Sequence, residues 1–148
     1  MGVEIEHKYL VVNDSYKGMA TGKVEIRQGY LNRNPDRTVR IRKMGDKGFI
    51  TVKGRNKGEL RLEFEYEIPC HDAEEILKLA EPGIVEKTRY FIPYSGLLWE
   101  VDEFHGSLGG VTVAEVELTE VDITYQKPPW IGEDITGNPK YYNSNLKV

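Results

Sequence analysis

The chain has 148 residues, 39% hydrophobic and 30% charged, a composition that supports a globular fold with its own core and no need of covalent staples. Its formal net charge of -4 argues against general attraction to nucleic acid or anionic lipid, and its single cysteine, Cys70, excludes an internal disulfide. No apolar run approaches the length of a membrane span and no secretory leader is visible, so the expectation is a single cytoplasmic domain over residues 1–148, with no nucleic-acid or membrane partner.

From the N-terminus, "VEIEHKYLV" predicts a strand over 3–11 with Glu4, Glu6 and Lys8 on one face and Val3, Ile5, His7 and Tyr9 on the other. A second strand is predicted over 22–31, where Gln28 and Tyr30 share a face. Over 37–44, "TVRIRK" sets Arg40 and Arg42 opposite Val39 and Ile41, and over 48–55 "FITVKGR" brings Thr51, Lys53 and Arg55 to one side. The segment 59–68 aligns Arg61, Glu63, Glu65 and Glu67 against Leu60, Leu62, Phe64 and Tyr66. Turn residues separate these runs: Asn34-Pro35-Asp36, Met44-Gly45-Asp46 and Asn56-Lys57-Gly58. A helix is predicted over 72–81, with Asp72 as N-cap, Glu75 three residues on, an apolar stripe of Ile76, Leu77 and Ala80, and Pro82-Gly83 as its stop. Strands then follow over 84–94 (Lys87 and Arg89 together), 97–104 (Glu100 and Asp102 against Trp99 and Val101) and 111–121 (Glu115 and Glu117 against Ala114, Val116 and Leu118). Beyond 121 the pattern fades into a segment rich in Pro, Gly, Asn and aromatics. Many strands joined by short turns predict a mainly β, mostly antiparallel sandwich or closed barrel.

Rows of charge on one face ordinarily meet water. Here the rows are dense in Glu, Arg and Lys with few neutral fillers, and the signs segregate by strand. Acids stand at Glu4, Glu6, Glu63, Glu65, Glu115 and Glu117, and bases at Arg40, Arg42, Lys53, Lys87 and Arg89. If a barrel closes with these faces inward, its lumen has an acidic and a basic region. Such charges are costly to bury unless they are paired or occupied by ions. A basic wall suits a polyanion, and clustered carboxylates suit a hard divalent cation, so a phosphate chain bridged to Mg2+ or Mn2+ satisfies both. Other reactive residue types read as structural. His7 lies opposite Glu6 and Lys8 and is expected to pack or face solvent. His71, His105 and Cys70 have no partner motif, and Arg55 and Lys57 fall in a turn. Tyr30 shares the face of Gln28 and is left open between wall and substrate contact.

The N-terminal Glu4-x-Glu6-x-Lys8 resembles the ExExK signature of the CYTH superfamily, the triphosphate tunnel metalloenzymes. "VRIRK", "TVKG", "EFEYEI", "EKTRY", "WEVDEF" and "AEVEL" resemble that family in the same order, and "PPWIGEDITGNPKYYNSNL" resembles the end of its short bacterial members. The resemblance implies a single closed eight-stranded antiparallel barrel with one or more short helices outside and a charged tunnel within. It also implies metal-dependent hydrolysis of inorganic triphosphate or of a triphosphate-bearing small molecule. On this reading Glu6, Glu115 and Glu117 are metal ligands, with Mg2+ or Mn2+ as cofactor. Lys8, Arg40, Arg42, Lys53 and Arg89 bind phosphate, Glu4, Glu65 and Lys87 serve the chemistry, and Glu63 and Asp102 are further acidic tunnel positions. A class IV adenylate cyclase or a thiamine triphosphatase on the same fold is the alternative. The first would need a site for adenine in a chain with short loops, and the second an aromatic platform, for which Trp99 faces away from Asp102. A polyphosphate-binding protein without turnover is the further alternative, although pure anion capture has no use for aligned glutamates. A homodimer is compatible with the pattern, which does not demand one.

Overall fold

A computed structural model describes residues 2–142 and 145–146 of the chain; Met1 and 147–148, the ends of the expected domain, lie outside them. The strands are β1 (Val3–Val11), β2 (Gly22–Asn32), β3 (Arg37–Met44), β4 (Lys47–Gly54), β5 (Leu60–Ile68), β6 (Val85–Tyr94), β7 (Leu97–Phe104), β8 (Thr112–Glu117) and β9 (Ile131–Asp134). The helices are α1 (Tyr16–Met19) and α2 (Cys70–Leu77), with short 3-10 turns at Gly106–Leu108 and Pro139–Tyr141. The sheet runs β5-β4-β3-β2-β6-β7-β8-β1-β9, every pairing antiparallel, and β5 returns to β1 to close an eight-stranded barrel. Two-residue turns make its tightest hairpins, and Gly45, Ser95 and Gly96 supply the positive φ that such turns require.

One seam differs from a simple barrel. β1 uses one edge for β8, from Glu6↔Glu117 to Leu10↔Val113, and divides its other edge. Val3, Glu4 and Ile5 pair with Leu62, Arg61 and Leu60 of β5, and Tyr9 and Val11 pair with Asp134 and Ile131 of β9. Between them, Glu6 N–H donates to the Glu59 carbonyl, Lys8 N–H to the Thr136 hydroxyl, and Ile135 N–H to the Lys8 carbonyl. The segment following β9 thus completes the wall that β5 leaves short.

Two differences from the sequence expectation have local causes. The helix spans Cys70–Leu77 and not 72–81, starting after Pro69, so Asp72 sits in its first turn and caps nothing. Ala73 and Leu77 bury against Ile41; Gly48 admits this helix because a Cβ there would strike Ala73, and Gly29 admits the segment after it because a Cβ there would strike Ile84. The last barrel strand stops at Glu117 and not at 121. From Leu118 the chain turns away and covers the outer face of β6–β8, burying Trp99, Val101, Val116 and Trp130 with Tyr9 and Tyr16. The outward apolar layer is therefore covered at Ile41, Val101 and Val116, but not at Val3 and Phe64. These two, with Leu62 and Tyr66, form an exposed stripe on β1 and β5, Leu62 and Tyr66 at 54% and 63%.

Candidate active site

Strand parity sends the charged rows inward. Glu4, Lys8, Arg40, Arg42, Lys87, Arg89 and Asp102 are all buried. Burial of so many charges is tolerable only because most are paired across the lumen, as Lys8 is with Glu115 and Arg89 with Asp102. The same rows end in apolar residues at one end of the lumen. Leu10 follows the row of Glu6 and Lys8, Val113 that of Glu115, Phe104 that of Asp102, and Val85 that of Lys87. These four gather with Ile135, Tyr141 and Leu146 into a small core, which forms an apolar floor.

Just above the floor lies a dry ionic cluster. Arg89 donates two parallel hydrogen bonds to Asp102, Nε to Oδ1 at 2.7 Å and Nη2 to Oδ2 at 2.9 Å. Lys87 Nζ is 2.5 Å from the same Oδ2 and 5.1 Å from the Phe104 ring centre. Burial is the main force on Lys87 and lowers its pKa to about 7, with Arg89 and Arg42 adding to the fall and Asp102 opposing it. Asp102 is penalised by burial as well, but Arg89 and Lys87 outweigh that and hold it far below the usual carboxylate range. Arg42 is lowered to about 9 by burial, then by Arg40 and Arg89, and stays charged at neutral pH.

The basic wall continues along β3 and β4. Arg42 Nε donates to Gln28 Oε1 at 3.2 Å, and Arg40 Nη2 donates to Thr51 and Glu65. Gln28 Nε2 and Arg40 Nε are buried with no acceptor among the described residues. Two orphaned donors in a positively charged lumen fit an anion with several oxygens. Lys8 lies across the lumen, 3.3 Å from Glu115 Oε1, with its Nζ also donating to the Tyr141 carbonyl. Tyr30 is buried and lines the same cavity as Glu6, Lys8, Arg40 and Lys53.

Acids crowd the shallower part. Oxygens of Glu4, Glu63 and Glu117 lie within 4.8 Å of one another, the one such acidic trio among the described residues. Partial burial, followed by Glu4, Glu63, Glu100 and Glu115, raises Glu117 to about 7. Glu6 is pushed well above the usual range by burial and then by Glu115 and Glu4. Glu115 is also buried, yet Lys8, Arg89 and Lys87 hold it at about 2. Three carboxylate oxygens at this spacing fit a hard divalent cation, whose charge would remove the repulsion that raises Glu63 and Glu117 beyond the effect of burial. Near this end Glu65 is half-exposed; partial burial raises its pKa, but the Thr51 hydroxyl and then Arg40 outweigh it and hold it below the ordinary value.

Every residue expected from sequence as a site residue therefore faces the lumen. The structure groups the acids differently from their order along the chain: Glu63 joins Glu4 and Glu117, while Glu6 and Glu115 sit nearer Lys8. Gln28, Thr51, Thr38 and Arg61 also line or brace the lumen, and of these only strand parity gave a signal. Outside it, His7 is half-buried between Glu59 and the Tyr125 hydroxyl, which agrees with a packing role. Arg55 is exposed and pairs with Asp36 at 2.7 Å.

A family model described as the CYTH domain matches residues 2–145. The chain is 50% identical over 147 residues to an inorganic triphosphatase of Acetivibrio thermocellus, covering 99% of this chain and 94% of the relative. It is 36% identical to an inorganic triphosphatase of Nitrosomonas europaea, covering 98% and 97%. A crystal structure of an inorganic triphosphatase superposes with a TM-score of 0.67 at 34% identity, over 97% of each chain.

Proposed function

The chain belongs to the CYTH domain family, and from that membership and the layout of its lumen we propose that it is a divalent-metal-dependent hydrolase of inorganic triphosphate, acting as a single domain. The observation that carries the reading is the pairing of a deep basic wall having unpartnered donors, Gln28 Nε2 and Arg40 Nε, with a shallower trio of carboxylates. Family membership implies a divalent metal. The all-oxygen donor set supports Mg2+ or Mn2+ over a softer ion.

In this mechanism Arg40, Arg42 and Lys8 grip the phosphate chain, Arg40 and Arg42 offering the planar guanidinium geometry that phosphate oxygens match, while Arg89, held by Asp102, adds its positive charge to the wall. Hydrolysis of a phosphoanhydride depends mainly on positioning and charge neutralisation. Glu4, Glu63 and Glu117 would hold the metal, with Glu6 and Glu115 supporting them; when bound, the metal neutralises charge developing on the phosphate oxygens. Lys87 is the group best tuned to move a proton. At about 7 its amine is substantially neutral near physiological pH, and Asp102 fixes the position of Nζ. Glu65, held ionised by Thr51 and Arg40, orients water at the shallower end. Tyr30 lines the same cavity.

Phosphate release from tripolyphosphate, ATP and thiamine triphosphate, with and without Mg2+ or Mn2+, tests the function. Turnover of tripolyphosphate that needs metal is expected. Preference for thiamine triphosphate would favour the thiamine triphosphatase alternative, pyrophosphate and cyclic AMP formed from ATP without phosphate would favour the cyclase, and tight binding without release would favour sequestration. Self-association as a homodimer is supported by the exposed stripe of Val3, Leu62, Phe64 and Tyr66, and light scattering on the protein and on Phe64→Glu checks it.

A further inference from the structure

We propose that Lys53 is an exchangeable counter-ion: its ammonium holds the metal-binding carboxylates until a divalent cation displaces it, and it then turns to the triphosphate. The proposal rests on the metal-dependent triphosphatase reading and adds an order of events to it.

Lys53 stands opposite Glu63 in the β4–β5 ladder, and Glu4 is brought alongside by barrel closure. Its Nζ is 3.1 Å from Glu4 Oε1, 3.4 Å from Glu4 Oε2 and 3.2 Å from Glu63 Oε2, with only 12% of the side chain exposed. Those two glutamates, with Glu117, are the residues whose oxygens converge within 4.8 Å. Among the described residues no salt bridge reaches Glu117, so Lys53 is the cation of the trio. A divalent ion would draw carboxylate oxygens to roughly 2.0–2.6 Å. An ammonium cannot remain about 3 Å from the same oxygens when the ion arrives, because both the space and the lone pairs are taken.

Lys8 faces Glu115 and the Tyr141 carbonyl and not the trio, and the arginines are not placed to exchange. Arg89 is clamped by Asp102, Arg42 by Gln28, and Arg40 by Thr51 and Glu65, whereas Lys53 carries its charge on a flexible stem. Once displaced, the ammonium remains in a lumen whose nearest unneutralised negative charge is a bound triphosphate. Metal binding would thus create one phosphate contact, and by reciprocity phosphate binding would favour the metal.

Calorimetric titration of Mn2+ without any phosphate provides the test, on the wild type, Lys53→Gln and Lys8→Gln. Lys8 removes the same charge from the same lumen but pairs with Glu115, so it reports the general electrostatic effect. Lys53→Gln should bind Mn2+ about tenfold more tightly than the wild type, within the usual span of coupling between sites, and Lys8→Gln clearly less. In chelator, where nothing is hydrolysed, Lys53→Gln and wild type should bind tripolyphosphate within about threefold of each other, since Lys53 is then engaged by Glu4 and Glu63. Equal Mn2+ affinity in wild type and Lys53→Gln, an equal gain at Lys8→Gln, or a loss of tripolyphosphate binding of about tenfold or more in chelator would each overturn the exchange. Absence of stoichiometric Mn2+ binding to the wild type would instead remove the metal-dependent reading beneath it. A Lys53→Met variant guards against a folding defect peculiar to Gln.

Discussion

Lys87 Nζ and Asp102 Oδ2 lie 2.5 Å apart at the bottom of the lumen, yet burial still lowers the lysine to about 7. As a proton acceptor it must be neutral, so kcat/KM for tripolyphosphate should rise with pH through about 7, limited by the free enzyme. Lys87→Arg, which retains the charge but cannot titrate in this range, should lose that limb and about 10²- to 10⁴-fold in rate. Stability moves the same way. Between about 7 and 10.5 the unfolded chain binds the proton that native Lys87 has shed, so metal-free stability should gain a component that rises with pH over this window. Thermal melts of wild type and Lys87→Met across the window would show it as a difference in slope.

Glu117 titrates in the opposite sense. Its native pKa of about 7 lies above the ordinary 4.5, so between those values the native metal-free protein holds the extra proton. Its contribution to stability is therefore present below about 4.5 and lost as pH rises through about 7. Bound metal requires the carboxylate, so Mn2+ affinity should increase across the same range. Glu117→Gln should flatten both dependences, nearly abolish metal-dependent hydrolysis and leave the metal-free protein at least as stable near pH 8.

On the basic wall, Arg42→Lys keeps the charge and loses the two-pronged geometry, and should impair tripolyphosphate hydrolysis. Arg42→Gln should cost more, on the order of 2–4 kcal/mol in kcat/KM for a desolvated charge-assisted contact. Arg55→Ala, which disrupts only an exposed pair with Asp36, should change little. Steady-state kinetics of the three variants at saturating metal separate a phosphate grip from a row of merely buried charge.

Phe104 underlies Lys87 and is almost fully buried in the floor. Phe104→Ala should destabilise the fold by about 3–5 kcal/mol. It should also admit water beside the ammonium, returning the lysine toward its ordinary value, so that the rising limb of the pH profile moves to higher pH. A limb that stays in place after the truncation would mean that the floor does not control this pKa.

The inward rows were legible because strand parity is exact: Glu4, Arg40, Lys87 and Glu115 are placed by the alternation of their own segments. Register was not, and the acidic trio depends on it, because barrel closure brings Glu63 beside Glu4 while the β1–β8 ladder sets Glu117 opposite Glu6. The floor left a trace in the sequence, since each charged row gives way to Leu10, Val85, Phe104 or Val113 at one end. That trace looks like ordinary strand fraying until the ends are seen to coincide. The helix boundary differs because Asp72 and Glu75 imitate a capping box, whereas Pro69 and the close fit of Ala73 against Gly48 set the true start. The cover over Trp99 and Val101 comes from a stretch with no periodicity, and only packing reveals it.

The divided edge of β1 has a consequence for the order in which the molecule can assemble. Strand β1 precedes the other barrel strands in the chain, yet two of its partners are β8 and β9, so Glu6 waits for Glu117, and Val11 for Ile131. Until these leave the ribosome, β1 can pair only with the short stretch of β5 opposite Val3, Glu4 and Ile5, and the inward charges of β3 and β4 stay hydrated on an open, curling sheet. Contacts of such long sequence separation are slow to form. Barrel closure, metal-site formation and dehydration of Lys87 should then arrive together as one late step, visible in refolding as a single phase shared by tryptophan fluorescence and by recovery of Mn2+ binding.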